Sequence, residues 1–303
     1  MTGRVRAIAV ATSLLAAAIV LVGVVSSIGS PAANDPPARP AAKGTVSVLL
    51  AGSLLNYVER SLGPAFEKTQ GFALRSFGGG SSELASEIRG RVRSGDVFLS
   101  AAAAADRSLE GSSGGDWVSW YSAFMASPLE LAYNPSSRFA SELRRGVPWY
   151  RVLTAPGIRV GRTDPKLDPK GVLTAEAVSN ASRKLGDPAL GRALSSFAVF
   201  PETALLGRLQ SGQLDAGFFY AVEARNAKLS TVGLAPVYKY AEYTITILNR
   251  AANPPGAAAF VRYLLGAARG FTPRRTGLTP MTPQFSGRAS AVPAGLRSLV
   301  GAH

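Results

Sequence analysis

Apolar positions along this chain follow two periods that alternate. Residues 44–52 (GTVSVLLAG) form a short β-rich apolar run ending in Gly, which predicts a strand. Leu54, Leu55, Val58, Leu62, Ala65 and Phe66 then recur at helical spacing, with Ser53 placed as an N-cap and Pro64 expected to bend or break the helix. Residues 72–77 (FALRSF) predict a second strand, followed by Gly-Gly-Gly-Ser-Ser. Leu84, Ala85, Ile88 and Val92 return to helical spacing, and residues 96–101 (DVFLSA) predict a third strand. The repeated plan of strand, Gly-Ser, helix, strand argues for an α/β fold with a parallel-rich sheet. Such sheets bind ligands at the carboxyl ends of their strands.

The pattern continues with strands over 128–135, 157–164, 214–221 and 243–250. Helices are predicted over 172–185, 202–212 and 253–270, the last with Pro at its start and Gly after it. Residues 272–303, rich in Pro and Arg, are expected to drape over the surface.

The N-terminus breaks the pattern. Arg4 and Arg6 precede an uncharged apolar run over residues 7–29. A cleavable signal has an apolar region of about 7–15 residues, and a spanning helix needs about 20. Residues 1–29 therefore read as a signal peptide or a membrane anchor, with the basic flank inside and the rest of the chain outside the cytoplasm. Residues 30–43 (SPAANDPPARPAAK) read as an extended linker.

Composition narrows the chemistry. The 303 residues, 47% of them hydrophobic, suggest about two domains. There is no Cys, which excludes disulfides, thiolate sites and a Cys nucleophile, and the one His is His303 at the chain end. Ser-His-Asp triads and His-based metal sites are thereby disfavoured. The net charge of +14 comes from scattered basic residues without a basic block interleaved with aromatics, so no nucleic-acid partner is expected. Phosphate-loop, dinucleotide and nucleophile-elbow motifs are absent, and Glu202, Glu223 and Glu242 stand isolated. The chain reads as a binding protein without a cofactor, not as an enzyme.

Two strand–Gly-Ser–helix junctions remain, AGS (51–53) and GGGSS (78–82). A helix N-terminus offers free N–H groups and partial positive charge, glycines let the backbone approach a ligand, and Ser adds donors. Plain N-capping is the competing role. GRTDPKLDPKG (161–171) holds two Asp-Pro steps that read as Asx turns and an N-cap, or as the far wall of the same cleft. Tyr220 ends the run GFFY, where its hydroxyl is either satisfied in the core or turned to a cleft.

In order, VSVLLAGSL, AFEKTQGFALRSFGGGSSELASEIR, GDVFLSA, PLELAYN, GIRVGRTDPKLDPKG, SGQLDAGFFYAVEA and YTITILNRAANPPGAAAFVRYLL resemble the extracytoplasmic molybdate/tungstate-binding proteins of ABC importers. The resemblance spans roughly residues 45–280. It implies a two-lobed periplasmic-binding-protein fold (type II), with two crossover strands and an oxyanion in the cleft. Lobe 1 would comprise 44–126 plus 236–303, and lobe 2 127–235. Ser53 and Ser81 match the hydroxyl donors, with Ser82 the neighbour of Ser81. Tyr220 matches the tyrosine donor, and Asp168 matches an aspartate that archaeal-type tungstate binders use as a metal ligand. Those archaeal-type proteins carry a glutamate where this chain has Phe219. That departure favours a hydrogen-bonded tetrahedral oxyanion over a six-coordinate one. It leaves Asp168 to be offset by Lys166, Lys170 or Arg162. The implied partners are molybdate or tungstate and ABC permease subunits. The protein is expected to be a monomer outside the cytoplasm, associated with the cell membrane through its N-terminal segment or secreted. Other anions such as sulfate or phosphate, and a membrane-anchored hydrolase, stand as the alternatives.

Overall fold

The computed structural model describes residues 43–302. The expected signal or anchor, the linker before residue 43 and His303 lie outside them. Among the described residues, no helix is long and apolar enough to cross a membrane.

The first sheet is built on β1 (Thr45–Ala51), which pairs in parallel with β2 (Ala73–Gly79) and β3 (Val97–Ser100). Its period-2 pattern serves two cores. Val46, Val48 and Leu50 pack in the main cluster with Phe66 and Phe260, while Leu49 packs with Leu84, Ile88 and Phe98. Burial on both faces is what a parallel sheet covered by helices requires. Its helical cover includes α1 (Gly52–Tyr57), α2 (Gly63–Gln70) and α3 (Ser81–Arg89).

The second sheet uses β5 (Val160–Thr163), β6 (Ala198–Phe200) and β7 (Ala216–Tyr220), which pair in parallel in the order β7-β5-β6. The 14-residue strand β4 (Trp120–Tyr133) joins the two sheets. Over Ser122–Pro128 it pairs antiparallel with β9 (Tyr240–Ile247), and over Leu129–Tyr133 with β7. The short β8 (Ser230–Gly233) also pairs with the second half of β4. β9 then carries the chain back to β3. Helices α4 (Pro169–Leu185), α5 (Glu202–Gln210) and α6 (Ala221–Asn226) belong to the second half, and α7 (Pro254–Ala268) packs on the first.

Several expectations change. Pro64 does not break its helix. A π segment, Val58–Leu62, lies just before it, with the Gly63 N–H bonded to the Val58 carbonyl, and the helix resumes at Gly63. α3 ends at Arg89, so Val92 is off its apolar face and 75% exposed. β4 begins eight residues before the expected strand, because Trp120–Met125 are all buried and lack a clean alternation. Residues 272–303 do not merely drape. β10 (Thr279–Gly287) pairs antiparallel with β4, and Leu278, Val292, Leu296 and Val300 are buried. Pro280 and Pro283 mask this strand in the sequence, and a register irregularity between Pro280 and Gln284 accommodates them.

Candidate functional site

The two Gly-Ser junctions lie side by side because β1 and β2 are adjacent and parallel, with Ala51 opposite Gly79. In FGGGSSELA, Gly78 and Gly79 finish β2, Gly80 is the N-cap, and Ser81 opens α3. The stretch is a strand end fused to a helix start, not a linker. Neither Ser53 nor Ser81 caps a helix with its side chain, and the expected N-cap role of Ser53 gives way to another contact. Buried Ser53 Oγ lies 2.8 Å from Tyr243 Oη. Buried Ser81 Oγ accepts the Ala101 N–H at 3.0 Å. Ser82 is half-buried, and its carbonyl accepts from Ser86 Oγ at 3.0 Å.

Asp168 caps α4. Its Oδ1 accepts the Lys170 N–H at 3.1 Å, as the Asx-turn reading expects, while its buried Oδ2 has no hydrogen-bond partner. Tyr220, fully buried at the end of β7, likewise has an unpartnered hydroxyl. Its ring meets Tyr243 edge-on at 6.2 Å. The two halves touch here. Glu83 N–H donates to the Leu167 carbonyl at 2.9 Å, and a Cβ on Gly80 would lie 2.4 Å from that oxygen and 3.2 Å from Asp168 Cβ. Close backbone approach is therefore what Gly80 provides. A cleft of about 230 Å³ opens beside this contact, lined by residues including Gly80, Glu83, Thr163, Asp168 and Glu202. Ser53, Ser81 and Tyr220 lie outside that lining.

Glu202 and Glu223 are not isolated, contrary to expectation. Lys170, almost wholly buried, places Nζ 3.2 Å from Glu202 Oε1 and 2.8 Å from Glu223 Oε1. Glu223 Oε2 accepts the Tyr220 N–H at 2.9 Å, tying the cluster to the tyrosine. Glu202 also lies against the start of α1, because a Cβ on Gly52 would fall 1.5 Å from its Oε2. These residues stand 32 and 53 positions from Lys170, and no sequence spacing announces them. The one signal is that Glu202 opens a predicted helix and Glu223 closely follows a predicted strand. Phe219 packs with Leu205, Leu209 and Leu214, as alternation along β7 dictates, while Tyr220 joins the main core cluster.

Burial sets the electrostatics. It pushes the Glu202 carboxyl up to about 8 despite Lys170, and raises Asp168 and Glu223 against the same opposing pull. Burial alone would lower the Lys170 ammonium, but Glu223, Glu202 and Asp168 outweigh it and hold the lysine above its ordinary value. Of the three cations expected to offset Asp168, Lys170 does so. Among the described residues, no group of three His, Cys, Asp or Glu is placed to hold a metal ion.

The profile of the bacterial extracellular solute-binding proteins matches residues 46–278. The chain belongs to that family. Its members bind solutes and are not enzymes, and they act outside the cytoplasm. A Haloferax volcanii relative, named provisionally as an ABC-transporter molybdenum-binding protein, is 33% identical over 178 residues. That match covers 58% of this chain and 55% of the relative, so it spans only about half the relative's length. The periplasmic molybdate-binding protein of Azotobacter vinelandii superimposes with a TM-score of 0.58 at 18% identity, over 79% of this chain and all of that one. A sulfate-binding protein of Mycobacterium tuberculosis gives 0.57 at 16% identity, over 85% and 91%. At such identities the likeness establishes the fold, a mixed α/β type II periplasmic binding protein.

Proposed function

We propose that this solute-binding protein captures a tetrahedral oxyanion, molybdate or tungstate, for an ABC importer. The lobes are taken as 44–126 plus 236–303 and 127–235. The ligand sits between Ser53 and Ser81 on one side and Tyr220 and Asp168 on the other, with Ser82 adjacent. The observation that carries this reading is the Tyr220 hydroxyl, buried and without a protein partner beside the lobe contact. Leaving such a group unsatisfied costs about 1–3 kcal/mol, so a ligand acceptor there is stabilising. The name of the Haloferax relative supports molybdenum as the cargo.

The acidic residues do not defeat an anion. Glu202 and Glu223 are bound to Lys170, and the raised Asp168 carboxyl takes a proton more readily than an exposed aspartate. A protonated Asp168 would donate to an oxyanion instead of repelling it.

A thermal-shift panel on the full-length chain tests the reading, because a ligand raises the melting temperature according to its affinity and concentration. Molybdate and tungstate should stabilise at low concentration. Stabilisation by sulfate or phosphate alone would overturn the selectivity, and no response to any of the four would overturn the oxyanion reading.

A further inference from the structure

Ser53 and Ser81 each hold one hydrogen bond to lobe 1, and the donors differ in kind. For Ser81 the donor is fixed. Ala101 contributes a backbone N–H at 3.0 Å, which cannot accept. Ser81 Oγ is the acceptor, and its own proton remains free. For Ser53 the partner is Tyr243 Oη at 2.8 Å, and a hydroxyl pair has two proton orders. One proton lies between the oxygens; the other is left for a third group. A phenol is the more acidic hydroxyl and so the stronger donor, and an alkanol oxygen is the stronger acceptor. The favoured order runs from Tyr243 to Ser53, leaving the serine proton free.

The surroundings fix the phenol in this role. Tyr243 is fully buried on β9, and its ring packs edge-on against Tyr220 at 6.2 Å. Burial raises its pKa well above that of an exposed tyrosine, so it stays a neutral donor. Both serines then have the same wiring, each oxygen accepting from lobe 1 and each proton left over.

We propose that Tyr243 is a positioning residue, which donates to Ser53 Oγ and thereby turns the Ser53 proton toward a bound oxyanion. Tyr243 does for Ser53 what the Ala101 N–H does for Ser81. Without the phenol hydroxyl, the serine loses the contact that orients it and must pay the ordering when ligand arrives. This inference rests on the oxyanion reading above.

The test is a mutant cycle on the full-length chain, titrated with sodium molybdate in a calorimeter. Tyr243→Phe should weaken binding about tenfold in the otherwise unmodified chain and again in the Ser81→Ala background. In the Ser53→Ala background it should change affinity less than about twofold, because no hydroxyl remains to orient. Equal losses in all three backgrounds would show a general packing defect and overturn the proposal. A larger loss from Tyr243→Phe than from Ser53→Ala would reverse the proton order and overturn it too. Molybdate binding indifferent to Tyr243→Phe would overturn this inference alone. No molybdate binding by the unmodified chain would overturn the functional reading and this inference together. Because Tyr243→Phe also removes one buried hydrogen bond, the ligand-free protein should melt a few degrees lower, and the comparison of affinities across the three backgrounds is what separates orientation from folding.

Discussion

Replacing Lys170 by Met keeps an unbranched side chain in the core and removes the charge that two buried glutamates share. Lys170 Nζ lies 2.8 Å from Glu223 and 3.2 Å from Glu202. Glu202 is already held up to about 8, so near neutral pH it is largely protonated even beside the lysine. The new cost therefore falls mainly on Glu223. Stripped of its cation, that carboxylate must take a proton, which at about pH 7.5 costs at most about 4 kcal/mol from an ordinary pKa near 4.5, less the part that burial already imposes beside Lys170. That agrees with the roughly 3–5 kcal/mol typical of breaking a buried pair by removing one partner. At about pH 4.5 glutamate takes a proton at little cost in either state, and the penalty shrinks towards the packing change alone. Urea denaturation at the two pH values measures the difference. Lys170→Met should be severely destabilised near pH 7.5 and close to the unmodified protein near pH 4.5, and adding Glu223→Gln should recover most of the loss. Equal destabilisation at both pH values would refute the charge argument and assign Lys170 a packing role.

Ser81→Ala should weaken molybdate binding by about 1–3 kcal/mol in calorimetry, and unchanged affinity would move the donor role to Ser82. Gly80→Ala brings a Cβ within 2.4 Å of the Leu167 carbonyl, so the segment bearing Asp168 must retreat. Its molybdate affinity should fall at least about tenfold in the same titration. Burial raises Asp106 from 3.8 to about 7 despite hydrogen bonds from Thr244 and Ser100, so its stabilising contribution is full below about pH 4 and is lost as pH rises through 7. Asp106→Asn should flatten the stability profile across that window by about 4 kcal/mol, read from denaturation midpoints.

The local plan was legible because it is written in period and punctuation. The run at 44–52 alternates between two cores, and Gly-Ser marks both strand–helix junctions. Asp168 was recognisable as a cap because Asp-Pro precedes a helix. The long-range features were not legible. Lys170, Glu202 and Glu223 meet only because α4, α5 and α6 converge, and each alone looks like a solvated charge. Tyr243 was hidden in a β-rich run whose interior position says nothing of its hydroxyl. β10 was missed because prolines read as loop, although an edge strand tolerates them. Val92 keeps the helical spacing of Leu84, Ala85 and Ile88, although α3 ends at Arg89.

Direct titration of the full-length chain with molybdate, in the absence and presence of excess sulfate, tests the central claim most sharply. The expected result is a saturable heat at one molybdate per chain that sulfate does not abolish. A flat titration with molybdate and tungstate alike, from a folded protein, would contradict it.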